Sequence, residues 1–513
     1  MMKKSLSLGV AQICRSTGLL SRQHNRAELK PVHMALQRCV KSLDSCALRG
    51  YNARMNASFA LISLGCAKNQ VDSEHMLGCM SEAGFRQVEP GEADVLIINT
   101  CGFIDPAKEE AINTIFDAVR AREAGEAPAE QKIIVAGCLS QRYAKELSKE
   151  MPEVSCFMGV DEITKVSEIA TACLNGTAEK TYTSKVSTYL PDWGVPRKLI
   201  SPPHYAYVKI AEGCNHACAY CVIPRIRGGH RSRPQANILK EVRHWVEQGA
   251  KEINLIAQDT TYYGMDKWEK RGSKTAGVDS SRGESLASLL REINDIPGDF
   301  WVRVLYTHPA HWSQELIDTF AQCEKVVKYV DIPLQHIADG ILDSMRRKTD
   351  GDYIRNLIRN IRAAVPGIGL RTTFISGLPG ETEEDHAELR EFIKEFRFER
   401  AGVFPYSKEE GSLAAKMKNQ VHHATKKRRS NELSMLLAGI ADEIGQESIG
   451  TRMRVLVDAP GIARGPWDAP DVDGSIHVDP SLPVGEFAEV EIVDSIAYEL
   501  FAEGAEEPDF DEE

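Results

Sequence analysis

No apolar run in the 513 residues is long enough to span a bilayer, so an integral membrane protein is not expected. Acids are nearly missing from residues 1–57, which hold ten Lys or Arg against Glu28 and Asp44. Basic side chains are scarce in residues 450–513, where three Arg face seventeen Asp and Glu. No secretory signal is evident, and the 13 cysteines are odd in number. Both facts disfavour a secreted disulfide scaffold and favour reduced or metal-bound thiols. The remaining composition is that of a core-forming chain, 42% hydrophobic and 27% charged, with length for roughly three or four domains. The net charge of −12 sits mainly in the C-terminal segment.

Residues 1–57 are basic, contain several Ser and show no sustained period. A transit peptide has that composition, but strand-like sequence begins just after Met55, so an untargeted or over-long N-terminus is expected. From 58 to 176, strands at 58–64, 94–99, 132–136 and 154–158 alternate with helices at 72–83, 107–122, 140–150 and 162–174. Near-continuous apolar strands between helices imply a parallel sheet covered on both faces. Cys66, Cys101 and Cys138 each follow a strand, in G-C, T-C-G and G-C turns. Open parallel sheets bind ligands at that edge, so these three thiols are expected to meet in a cluster site. Cys79, Cys156 and Cys173 fall within elements and are expected in the core.

Residues 177–203 read as a linker. The stretch EGCNHACAYC then carries Cys214, Cys218 and Cys221 in a C-x3-C-x2-C spacing. Three thiolates are one short of the set that holds a 4Fe-4S cluster, which would leave one iron open. A structural metal site with His216 as fourth ligand is the alternative from the residues alone. Strands at 204–210, 252–257, 301–306, 327–332, 370–375 and 401–406 alternate with helices at 235–247, 285–295, 314–322, 339–347, 352–364 and 383–397. Six βα units predict a partial TIM-like barrel with its chemistry at the carboxyl-end loops. Residues 264–284 read as a polar surface loop. A long helix over 422–446 has a basic first half, Lys426, Lys427, Arg428 and Arg429, expected to be a solvated face. Short strands at 452–457, 474–478 and 487–493 predict a small all-β barrel, followed by an acidic tail at 503–513.

The EGCNHACAYC loop resembles the radical S-adenosylmethionine (SAM) signature, and the whole arrangement resembles the methylthiotransferases. Further stretches fit: SLGCAKNQVDSE, NTCGFI, AGCLSQRY, IPRIRGGHRSRP, LIAQDTTYYG, YVDIPLQH, TFISGLPGETEED and GVFPYSKEEGS. Ala67 departs from the proline expected there. The resemblance implies a doubly wound N-terminal cluster domain at 58–176, a (β/α)6 radical SAM barrel with its trailing helix at 204–447, and a TRAM barrel at 448–502. It implies two 4Fe-4S clusters, one on Cys214, Cys218 and Cys221 with SAM on the open iron, the other on Cys66, Cys101 and Cys138. The first would cleave SAM to a 5′-deoxyadenosyl radical that removes a hydrogen. The second would supply sulfur, and another SAM the methyl group. Gln258, Asp259, Gly377, Gly380 and Glu381 are candidates to line the SAM pocket, with a turn or cap role as the competing reading for each. Arg225, Arg227, Arg231 and Arg233 are candidates to hold an anion, with solvated surface as the competing role.

Among subfamilies the chain most resembles the one acting on an aspartate β-carbon of small-subunit ribosomal protein twelve. Such an enzyme takes electrons from a donor such as flavodoxin or ferredoxin. A cytoplasmic monomer is expected, with no membrane partner. The competing subfamily modifies tRNA adenosine carrying isopentenyl or threonylcarbamoyl groups. Phosphate neutralisation dominates nucleic-acid affinity, so an acidic C-terminal module disfavours tRNA and favours a basic protein. Trp467 is a candidate for shaping that docking surface, with a packed turn as the equal alternative. A non-catalytic iron–sulfur RNA-binding factor is the remote alternative.

Overall fold

The computed structural model describes residues 57–270 and 275–504. The basic N-terminal extension and nearly all of the acidic tail lie outside them. Contacts divide the chain after Ala57, and the described residues from Ser58 onward belong to one unit.

The first sheet holds β1 (Ser58–Ser63), β2 (Arg86–Gln87), β3 (Val95–Thr100), β4 (Lys132–Gly137), β5 (Cys156–Met158) and β6 (Thr181–Tyr182). All pairings are parallel, in the order β2-β1-β3-β4-β5-β6. All six residues of β3 are buried, as a strand covered on both faces requires. The two edge strands, β2 and β6, are two residues each, too short for any periodic pattern. β6 lies inside the stretch that reads as linker. The helix expected at 72–83 starts earlier, at Ala67, with Cys66 as its N-cap. The helix expected at 140–150 starts at Cys138.

The second sheet system runs through β7 (Tyr205–Lys209), an antiparallel pair of β8 (Ala211–Glu212) with β9 (Arg231–Ser232), then β10 (Glu252–Ile256), β11 (Trp301–Val304), β12 (Tyr329–Asp331), β13 (Gly369–Ser376) and β14 (Arg400–Pro405). Two parallel ladders form, β11-β10-β7 and β12-β13-β14, joined by a bridge between Val302 and Val326. Among the described residues β14 does not pair back to β7, so the six-stranded barrel is open on one side. One correction concerns 264–284. Met265, Trp268 and Val278 are buried in the barrel core, so the described residues 264–270 and 275–284 are packed and not a simple polar loop. Its interspersed charges mask three anchoring apolar side chains.

The last five strands close a barrel, β15 (Arg452–Ala459), β16 (Ile462–Arg464), β17 (Ile476–His477), β18 (Phe487–Ile496) and β19 (Glu499–Ala502), in the order β15-β16-β17-β19-β18. This module caps the amino-terminal ends of the strands of the second sheet system. Tyr329 Oη donates to Asp473 at 2.7 Å, Arg400 reaches Asp468 at 2.5 Å, and His204 meets Asp458 at 2.8 Å. Glu252 bridges Arg303 and Arg464 at 2.7 and 2.5 Å. Trp467 packs against Gly369, and its indole N–H donates to the Gly367 carbonyl at 3.1 Å. It is an internal anchor between modules. Asp458, Asp468 and Asp473 are likewise engaged with barrel side chains, so less of the module's acidity faces outward than its composition implies. No helix among the described residues is long and apolar enough to cross a membrane.

Candidate active site

Cys66, Cys101 and Cys138 follow β1, β3 and β4, which are neighbours in the sheet. Thr100 pairs with Gly137, so Cys101 and Cys138 stand level on strands about 5 Å apart. Gly65 and Gly137 make the approach feasible. Their φ values are +92° and +93°, and a Cβ would lie 2.8 Å from Cys101 Cβ and 2.3 Å from Asn99 Oδ1 respectively. Cys66 keeps solvent-exposed surface although protein surrounds it, and that partial loss of water raises its pKa. Lys68, Arg227 and the helix-start amides of Lys68 and Asn69 outweigh that and lower it overall. Burial and the neighbouring thiols push Cys101 up to about 12. Burial also raises Cys138, against the Arg227 charge.

Cys214, Cys218 and Cys221 lie on the loop after β7 and β8, at the carboxyl edge of the barrel. Gly213 turns the chain into it with φ +79°, and a Cβ there would lie 2.2 Å from the Gly229 carbonyl oxygen. Burial, Asp259 and Cys221 raise Cys214 well above a free thiol. Burial and Cys218 push Cys221 up to about 12. The backbone amides of His216 and Ile223 donate to the Cys214 and Cys221 sulfurs, each at 3.4 Å. Arg347 Nη1 lies 3.8 Å from the Cys218 sulfur. His216 does not stand free to complete this triad through Nε2. That atom is 2.8 Å from Asp259 Oδ2 and 3.1 Å from His311 Nε2, and the His216 ring stacks on His308 at 3.8 Å.

A buried charge network separates and joins the two triads. Lys209 is 2.5 Å from Asp72 and 2.8 Å from Glu212. Arg227 Nη1 is 2.7 Å from Asp72 and 3.3 Å from Glu212, while Nη2 donates to Asn69 at 3.4 Å and to the Cys138 sulfur at 3.3 Å. Two cations and two carboxylates therefore balance inside the protein, as burial demands. Burial opposes ionisation of Glu212, but Lys209 and Arg227 hold its pKa at about 2.

The structure sorts the remaining candidates. Arg225 is exposed. Arg233 is buried on Glu241 at 2.6 Å, and Arg231 binds backbone carbonyls, including Tyr189 at 2.7 Å. Neither Arg227 nor Arg233 is solvated, and each is matched by an internal acid. Glu381 Oε2 accepts from the Gly377 and Leu378 amides at 2.6 and 3.2 Å, and Oε1 binds Arg429 at 2.9 Å. Gly380 donates to Asn419 and has open space beside it. Gln258 donates to Glu212 at 2.6 Å, while its Oε1 is buried without a partner. His308 Nε2 and Ser376 Oγ are also unpartnered. These three orphaned atoms follow or end β10, β11 and β13 at the same carboxyl edge, as a polar ligand beside the cysteine loop would require. Each set of three thiols, at the carboxyl edge of a parallel sheet, could offer three of the four ligands of a 4Fe-4S cluster. Arg347 and the histidine pair His308 and His311 carried no sequence signal, because tertiary contact alone brings Arg347 to Cys218 and the two histidines to His216. Cys79, Cys156 and Cys173 are buried in the core, with the Cys156 and Cys173 sulfurs 3.6 Å apart.

Residues 58–159 match the Uncharacterized protein family UPF0004, residues 208–393 the Radical SAM superfamily, and residues 449–504 the TRAM domain. Fold and site thus define a radical SAM enzyme with an added parallel-sheet domain and a TRAM barrel. The protein named ribosomal protein uS12 methylthiotransferase RimO from Akkermansia muciniphila is 60% identical over 452 residues, covering 88% of this chain and 100% of that relative. The protein of the same name from Opitutus terrae is 52% identical, covering 86% of this chain and 96% of the relative. That of Heliobacterium modesticaldum is 43% identical, covering 90% and 98%. The chain belongs to the RimO family of radical SAM methylthiotransferases.

Proposed function

We propose that this enzyme adds a methylthio group to the β-carbon of an aspartate in small-subunit ribosomal protein twelve, using two 4Fe-4S clusters and SAM. The observation that carries the reading is the pair of thiol triads at the carboxyl edges of two parallel sheets, with Arg227 bonded to Cys138 on one side and to Glu212, two residues before Cys214, on the other. Cys214, Cys218 and Cys221 would hold the cluster that binds SAM, and Cys66, Cys101 and Cys138 the auxiliary one. When bound, these groups supply the one-electron chemistry that opens a carbon–hydrogen bond, together with the sulfur and methyl that replace the hydrogen. The protein's own residues position and shield. Arg227 and Lys209 lock the cluster domain onto the barrel, so the two triads keep a fixed relation. Gln258 and His308 offer polar atoms toward the SAM edge, and Arg347 places positive charge beside Cys218. Burial of Cys138 and Cys218 limits water at the ligands.

The protein substrate is favoured over tRNA by charge. Glu489 and Asp494 remain exposed on the C-terminal barrel and attract a basic partner, although this module sits at the end of the barrel opposite the cysteines. The enzyme works as a cytoplasmic monomer, reduced by a flavodoxin or ferredoxin. Mass spectrometry of ribosomal protein twelve and tRNA from cells lacking this protein tests the substrate. The methylthio group should disappear from the ribosomal protein; its loss from tRNA, with the ribosomal protein unchanged, would reverse the assignment.

A further inference from the structure

A cavity of about 960 Å³ lies on the open side of the barrel, between the loop after Cys101 and the edge strand β14. Phe103 and Ile104 line it from the cluster domain, Tyr220 from the SAM-side cysteine loop, and Phe404 from β14. Phe404 is 54% exposed there, a large apolar side chain left uncovered at the mouth. The cavity is therefore flanked by chain immediately next to both triads.

Its charge runs against that of the whole protein. Two acids line it, Asp105 and Glu409, and both are already matched. Lys108 is 2.6 Å from Asp105 and 3.0 Å from Glu409, and Arg142 is 2.9 Å from Glu409. Three lysines line it as well, Lys408, Lys426 and Lys427, and among the described residues none has a carboxylate within ion-pairing distance. The neighbouring Arg428 and Arg429 are bound to Glu383 and Glu381. The basic start of the long helix is thus split, with its arginines paired to acids and its lysines without a carboxylate partner among the described residues. On a chain of net charge −12, this pocket keeps unmatched positive charge.

Lys426 is the fixed member. Its stem crosses Gly377, where an added Cβ would lie 2.4 Å from Lys426 Cγ. Its ammonium donates to the Tyr406 carbonyl at 3.0 Å and sits 4.5 Å from the Tyr406 ring centroid. One carbonyl leaves two ammonium hydrogens unassigned. Burial and the nearby Lys408 charge lower its pKa, as suits a cation without a counter-charge. Glu381, the carboxylate that opposes this shift, is itself held by Arg429.

We infer that Lys426 is the specificity-determining cation of the substrate site, receiving the side-chain carboxylate of the target aspartate while Phe103, Phe404 and Tyr220 hold the apolar part of its loop. This inference rests on the protein-substrate reading above. It gives the enzyme a reason to choose aspartate over its neutral isostere, since a partly buried cation loses hydration on binding and a carboxylate offsets that loss better than an amide oxygen.

Binding of two loop peptides of ribosomal protein twelve to the full-length reconstituted enzyme tests it, one carrying the target aspartate and one carrying asparagine in its place. Wild type should bind the aspartate peptide about tenfold more tightly. Lys426→Met should abolish that preference by weakening the aspartate peptide alone, and Lys426→Arg should keep most of it. Equal weakening of both peptides by Lys426→Met, or a preference that survives it, would overturn the role of Lys426. If wild type binds neither peptide but binds a tRNA anticodon stem-loop through Lys426, the substrate reading fails and the cavity is a phosphate site. If both peptides bind but wild type shows no preference, the substrate reading stands and the carboxylate inference fails.

Discussion

Arg227 is a guanidinium with donors on two sides, and the fold uses both. One side faces Asp72 and Glu212, the other Asn69 and the Cys138 sulfur. The same logic recurs at Glu241, which takes Arg197 at 2.5 Å and Arg233 at 2.6 Å. Burial alone would raise the Glu241 pKa, but the two arginines hold it at about 2, below its ordinary 4.5. A depressed carboxylate contributes stability above the unfolded pKa and loses it as pH falls through the folded one. Unfolding free energy should therefore fall by about 3 kcal/mol from this group between pH 4.5 and 2. Glu241→Gln should flatten that part of the denaturant-derived stability profile. An unchanged slope would contradict the assignment. None of these partnerships was legible in the sequence. Arg227 and Asp72 are 155 residues apart, and a lysine or arginine in isolation reads as solvated surface.

At the scale of elements, the loops that carry the cysteines depend on glycines that cannot be exchanged. Gly213→Ala would force a side chain into the Gly229 carbonyl, and Gly137→Ala into Asn99 and Thr100. Each substitution also meets a positive φ. Gly213→Ala should lose reductive SAM cleavage and about half of the bound iron. Gly137→Ala should lose a similar share of iron while still cleaving SAM. Iron analysis with a 5′-deoxyadenosine assay separates the two, and matching phenotypes would refute the division of labour. These loops were readable because the strands were. The apolar runs at β1, β3 and β4 put three cysteines at one repeat position. Six βα units likewise gave the barrel its strand ends, and so the site of the second triad. Short elements escaped for the opposite reason. β2, β6, β16 and β19 are two to four residues long and hold no period. The buried Met265, Trp268 and Val278 were hidden among charges in a segment of low repetition.

For the whole molecule, the modules divide the work along one axis. The parallel-sheet domain and the barrel present their carboxyl edges and their thiols to the same region. The TRAM barrel closes the other end, tied there by Asp458, Asp468 and Asp473. Part of the acidity that the sequence assigns to partner attraction, Asp458, Asp468 and Asp473, therefore holds the modules together. Discrimination at the chemistry then falls to the lysine-lined cavity beside Phe103 and Tyr220. On this reading two independent cluster sites sit within one chain. Iron and sulfide quantification on anaerobically reconstituted protein distinguishes two sites from one. Wild type should bind about eight of each per chain, and replacement by alanine of either triad, Cys66, Cys101 and Cys138 or Cys214, Cys218 and Cys221, should leave about four. A wild type holding about four, or either triple variant keeping the wild-type amount, would contradict the account.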